Sequence, residues 1–138
     1  MRSQINLPKE KLAAMKEAVQ VEPRLAAVYV FGMYQPGDCD MAALYIETPS
    51  WPERLDLELM VARSLGLEGV QLIDLRRMPL AFRHWVINNA QLVYVGQPQV
   101  LAVFIEETIA RYAAFYPLLE TLYWKVETGP LAEDMLDS

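Results

Sequence analysis

Two short apolar runs, set close together, constrain this chain more than any other feature. "AAVYVF" (residues 26–31) is rich in β-branched and aromatic residues and runs into Gly32. Pro36 and Gly37 punctuate the stretch that follows, and "MAALYIE" (41–47) then resumes the apolar pattern until Pro49 and Pro52 stop it. Apolar runs this short, bounded by turn residues, read as buried strands. Between them stand Asp38 and Asp40, two acids one residue apart, which an extended backbone projects from the same face. A glycine turn after a strand lets backbone N–H groups approach a phosphate, and neighbouring carboxylates supply the hard oxygens that magnesium prefers. A β-turn carrying solvated acids has the same outline, so spacing alone leaves both readings open.

The remaining pattern supplies the layers around this pair. "PKEKLAAMKEAV" puts Leu12, Met15 and Val19 at helical spacing after Pro8. "PERLDLELMVARSLG" returns to that period, with Leu55, Leu59, Ala62 and Leu65 expected along the buried face and Gly66 as its stop. "GVQLIDL" (69–75) reads as a third strand, Pro79 opens a short helix "PLAFRHWVINN", and "QLVYV" (91–95) is a fourth strand. From Val100 to about Val126 an apolar stripe runs through Leu101, Phe104, Ile105, Thr108, Tyr112, Phe115, Leu119, Leu122 and Val126. This predicts a long closing helix, kinked or interrupted at Pro117. The order implies an α/β (α+β) fold, a mixed sheet of about four strands with helices against it.

A chain of 138 residues, 54% of them hydrophobic, is sized for one core. Residues 1–128 are expected to form the domain and residues 129–138 a mobile acidic tail. The formal charge of −6 is uneven, because residues 106–138 carry seven acids against Arg111 and Lys125. Without a basic stripe, direct nucleic-acid binding is not expected. Cys39 is the only cysteine, which excludes a disulfide framework and a cysteine-based zinc site. The lysines and glutamates of the first twenty residues do not suit a signal peptide, and no run reaches the length of a membrane span. A cytoplasmic protein with no membrane partner is the expectation.

"VYVFGMYQPGDCDMAALYIE" resembles the minimal nucleotidyltransferases (MNT family) of the DNA polymerase beta-like superfamily, whose pattern is an apolar strand ending in Phe-Gly-Ser, a loop, and Ser-Asp-x-Asp entering the next strand. "GVQLIDLRRMPLAFRHWVINNAQLVYVGQP" is similar to that family's second recurrent stretch, and "FIEETIARYAAFYPLLETLYWKV" to its closing helix. The likeness spans residues 26 to about 126 and implies a nucleotidyltransferase-like fold.

Carried over residue by residue, the family's site is depleted. Gly32 is kept, but the phosphate-contacting serine falls at Met33. In one register Asp38 and Asp40 are the two metal ligands. In the other, preferred because it matches "GDCDMAALYIE" to the family's strand without a break, Asp40 is the first acid and Ala42 stands in for the second. The third family carboxylate falls at Gln71, while Asp74, three residues on, faces the other side of its strand. Two magnesium ions bring four positive charges, which a single carboxylate cannot offset.

MNT proteins are often paired with a small helical HEPN protein, as antitoxin to an RNase toxin. The resemblance therefore implies a degenerate nucleotidyltransferase-like antitoxin or regulatory subunit that binds a HEPN-type partner, with no cofactor expected. The alternative is an active enzyme using magnesium at Asp38 and Asp40 to transfer AMP from ATP to a partner protein. A non-catalytic homo-oligomeric nucleotide-binding or scaffold protein is the third reading. Tyr116 and Trp124 fall off the apolar stripe of the last helix and are candidate interface residues. His84 is expected to be a packed or surface helical histidine, since no second histidine can join it at a metal. Arg76, Arg77 and Arg83 are expected to be exposed charges rather than an anion site.

Overall fold

A computed structural model of the chain describes residues 7–32 and 37–128, with side chains as far as Pro117. The elements run α1 (Lys9–Val19), β1 (Leu25–Gly32), β2 (Asp38–Tyr45), α2 (Trp51–Leu65), β3 (Gly69–Asp74), a single 3-10 turn (Leu75–Arg77), α3 (Leu80–Asn89), β4 (Gln91–Val95) and α4 (Pro98–Thr128). Met33 and the expected tail 129–138 lie outside the described residues.

The strands form one sheet in the order β3-β2-β1-β4. β1 and β2 are antiparallel, as strands joined by a short connection must be. β2 and β3 are parallel, which requires a crossover, and α2 supplies it. Gly66 ends α2 in the left-handed region at φ 68°, where a side chain would be strained, and turns the chain into β3. β4 then returns antiparallel on the outer side of β1.

Both faces of the sheet are covered. Met15 and Val19 of α1, with Leu57, Val61 and Leu65 of α2, pack on Val28, Val30, Met41, Ala43 and Tyr45. On the other face Val86 of α3, with Leu101 and Phe104 of α4, packs on Tyr29, Ala42 and Leu44. The central strands are therefore apolar on both sides, and β1 and β2 read as continuous hydrophobic runs rather than alternating ones.

Three local expectations need correction. The buried stripe of α2 is Leu57, Val61, Ala62 and Leu65, while Leu55 and Leu59 are exposed. The sequence offers apolar residues at four-residue spacing on two faces of α2, and packing against the sheet selects Leu57, Val61 and Leu65. Ser50 accepts from the Glu53 N–H at 3.4 Å, and Glu53 accepts from the Ser50 N–H at 2.8 Å, a reciprocal cap that sets the first turn. Secondly, β2 begins at Asp38 and ends at Tyr45, so the acids belong to the strand, and Ile46 and Glu47 leave it exposed. Thirdly, of the kink or interruption expected at Pro117 the interruption does not occur, since α4 runs from Pro98 to Thr128 with Pro117 inside it. Proline removes the donor for the carbonyl of Ala113, and that residue is exposed, so water can take the donor's place.

Candidate functional site

The acidic pair stands where β2 leaves the connection from β1. Asp40 pairs across the sheet with Gly32 of β1 and with Gln71 of β3, and Asp38 pairs with Gly69. The β1–β2 register shifts between Val30 and Gly32, so the strand end twists beside the acids. Gly37 precedes the pair at φ 92°, and its carbonyl accepts from the N–H groups of Glu68 at 2.7 Å and Gly69 at 3.0 Å. These bonds tie the end of the β1–β2 connection to the start of β3. Gly69 lets the Asp38 carboxylate approach closely, since a Cβ there would lie 2.9 Å from its Oδ1 and push the side chain aside. The carboxylate of Asp38 thus lies over the β3 backbone.

Alternation along β2 places Asp38, Asp40, Ala42 and Leu44 on the α3/α4 face and sends Cys39 to the α1/α2 core. Burial, with Asp40 beside it, pushes the Cys39 thiol up to about 11, so it is neither an accessible nucleophile nor a ready ligand. Partial burial, and then the neighbouring Asp38, raise the Asp40 carboxyl above the ordinary aspartate value. Two like charges on one face oppose each other's ionisation, and a cation would relieve that. Ala42 is fully buried in the cluster with Leu75, Val86, Leu101 and Phe104, so a carboxylate at that position would sit inside the core.

On β3, Gly69, Gln71 and Ile73 face the same side as Asp38, Asp40 and Ala42. None of the three carries a carboxylate. Among the described residues no group of three His, Cys, Asp or Glu is placed to hold a metal ion.

Asp74 is on the opposite face, as its spacing from Gln71 requires. It is 3% exposed and accepts from the Thr48 hydroxyl at 2.9 Å and the Arg76 N–H at 3.2 Å, with the Arg77 guanidinium 3.6 Å away. Two of the three arginines are bonded into the fold, and the third, Arg77, reaches only Asp74. Arg76 Nε donates to the Tyr45 carbonyl and its guanidinium lies over Phe104, and Arg83 Nε donates to the Met78 carbonyl. His84 stacks on Tyr112 with ring centres 3.8 Å apart. Tyr116 is exposed on α4 within ring contact of Tyr112, and the side chain of Trp124 is outside the described set. The fastening of Asp74 by Thr48 was missed in the sequence, whose only signal was a threonine just after one strand and an acid at the end of its parallel neighbour.

Helix pairs on both faces of this mixed sheet, a long C-terminal helix and a glycine-led connection into an acidic strand define a nucleotidyltransferase-like α+β fold. Solved structures share it. The chain matches a structure described as the toxin-antitoxin MntA-HepT with a TM-score of 0.62 and 22% identity, covering 84% of this chain and 99% of that one. A structure from Shewanella oneidensis matches at 0.63 and 21%, covering 85% and 99%. An MNT antitoxin in complex with a tri-AMPylated HEPN toxin of that organism matches at 0.58 and 23%, covering 82% and 98%. No family model matches the chain. No curated protein matches it either. Among the described residues no helix is long and apolar enough to cross a membrane.

Proposed function

We propose that this chain is an MNT-type antitoxin or regulatory subunit that acts by binding a small helical HEPN-type RNase, and that its nucleotidyltransferase site is catalytically degenerate. One observation carries the second half. Every β3 position sharing a face with Asp38 and Asp40 is Gly69, Gln71 or Ile73, so the third carboxylate of the family is missing in either register. Two aspartates at most remain to offset metal charge, and transfer of a nucleotide through a metal pair needs more. The partner half rests on the fold, since structures with that fold are described in complex with HEPN toxins.

The contact surface we assign is α4. Its exposed Tyr116, with Trp124 two turns further on, lies on the helix that carries the acidic end of the chain. An RNase needs cationic surface to hold RNA, and an acidic helix complements it and speeds encounter.

One observation favours the enzymatic alternative, in which magnesium and ATP serve AMP transfer. Asp38 and Asp40 share a face, and the raised Asp40 carboxyl is what a metal-ligand pair shows without its ion.

Both halves are tested by mixing the purified chain with a HEPN-type RNase from its own genome, with labelled ATP and magnesium. Complex formation without label transfer is expected. Tyr116→Ala and Trp124→Ala should speed dissociation by on the order of 1–3 kcal/mol, as truncating an interface aromatic does. Absence of a complex overturns the partner assignment. Magnesium-dependent labelling that disappears in Asp40→Asn makes the chain an enzyme.

A further inference from the structure

Along the β3 border of the sheet, α2, β3 and the 3-10 turn line a cleft of about 570 Å³. Its walls include Trp51, Arg54 and Glu58 of α2, with Gln71, Asp74 and Arg77 opposite. That volume is in the range of small-molecule sites, roughly 300–1,000 Å³.

The charges in the cleft are unequally committed. Glu58 is already used, because its Oε2 accepts the outward N–H of Leu72 at 2.8 Å. Asp74 is used as well, by Thr48 and the Arg76 N–H. The cations are less so. Arg54 is half-buried and makes no side-chain hydrogen bond or ion pair among the described residues. Arg77 has a side chain 72% exposed and is held only by the 3.6 Å ion pair to Asp74. The carboxylates therefore serve the fold, while Arg54, Gln71 and the exposed side of Arg77 keep unused hydrogen-bonding capacity at the cleft.

Trp51 adds a flat apolar surface at the rim. It is 66% exposed at the first position of α2, where nothing in the fold requires an indole.

We propose that this cleft binds a small aromatic anion, its ring on Trp51 and its negative group between Arg54 and Arg77. Guanidinium groups bind phosphate and carboxylate through paired N–H donors, and an indole face accepts a ring at stacking distance. Neither Asp38 nor Asp40 lines this site, although Gln71 of its wall is the cross-strand neighbour of Asp40, and the recognition proposed needs neither a metal at that pair nor a HEPN partner.

The test is titration of the intact chain, by calorimetry and tryptophan fluorescence, with phenyl phosphate, benzoate, inorganic phosphate and phenol. Saturable binding of phenyl phosphate or benzoate is expected, with whichever is tighter identifying the anion as phosphate or carboxylate. Phenol and inorganic phosphate, each lacking half of the recognition, should bind at least about tenfold more weakly. Arg54→Ala and Trp51→Ala should each weaken the aromatic anion by about tenfold or more, and Trp51→Phe should restore much of that loss. Asp40→Asn should leave it unchanged. The proposal is overturned if neither aromatic anion saturates at millimolar concentration, if binding is indifferent to Arg54 and Trp51, or if it is lost with Asp40.

Discussion

Asp40 on β2 and Asp74 on β3 are carboxylates on adjacent parallel strands, pointing to opposite faces of one sheet. Asp74 is buried and surrounded by donors, a hydroxyl, a backbone N–H and a guanidinium. Asp40 is half-buried and its electrostatic neighbour is another acid, Asp38, which with desolvation raises its carboxyl. A carboxylate that stabilises a fold is one whose acceptor capacity is filled by the protein. One left short of donors beside a like charge stores a bias toward whatever neutralises it, a proton, a cation or a partner's basic group. The difference separates the part of the β2–β3 strand pair that holds the sheet from the part that faces outward.

The largest effect should come from the filled side. Asp74→Ala leaves the Thr48 hydroxyl and the Arg76 N–H without their acceptor, and should cost about 3 kcal/mol of stability in a denaturant titration. A loss below about 0.5 kcal/mol would mean that those donors find water and that the contrast with Asp40 is false. Next comes an attempt to complete the open side. Gln71→Asp puts a third carboxylate directly beside Asp40, and magnesium affinity measured by calorimetry should rise about tenfold over the wild type. If the wild type already binds magnesium below the millimolar range, the site is not degenerate in the sense proposed.

The smallest effect tests the bias itself. A carboxyl raised on folding contributes stability when protonated, and that contribution is lost as pH rises through its folded value. Asp40→Asn should therefore stabilise the chain near neutral pH, by only about a few tenths of a kcal/mol because the half-buried group stands at the strand's open end, where solvent screens it. The gain should vanish below the ordinary value of 3.8, where Asp40 is protonated in both states. A stability difference that grows in acid would reverse the sign and the interpretation.

Much of this architecture was readable in the residues. The four strands announced themselves as short β-branched runs between glycines and prolines, and β4 occupies the expected residues 91–95. Alternation also fixed Asp74 on the face opposite Gln71 before any coordinates. What was less legible depends on contacts distant in sequence. The choice between Leu55/Leu59 and Leu57/Val61 as the buried side of α2 is not made by helical period, since both sets satisfy it. It is made by the sheet the helix lands on. For a similar reason, the preference for the register with Asp40 and Ala42 over the one with Asp38 and Asp40 rested on strand continuity alone. Spacing alone does not reveal that Ala42 is sealed beneath α3 and α4 while Asp38 and Asp40 remain at the strand's open end. The Trp51–Arg54–Arg77 cleft had no motif at all, because its members come from two segments that only the β2–α2–β3 crossover brings together.

The bond from Glu58 to the Leu72 N–H also sets how the molecule meets copies of itself. β3 is one border of the sheet, and at its middle an outward donor that could template a foreign strand is already occupied by a charged side chain. The opposite border, β4, has neither a charged residue nor a proline in Gln91–Val95, and its Leu92 and Val95 are exposed. Charges, prolines and covered donors are the usual protections against edge-to-edge growth. Among the described residues one border is guarded at its middle and the other is not, so strand-by-strand association of this chain is expected to have a polarity, favouring β4 over β3.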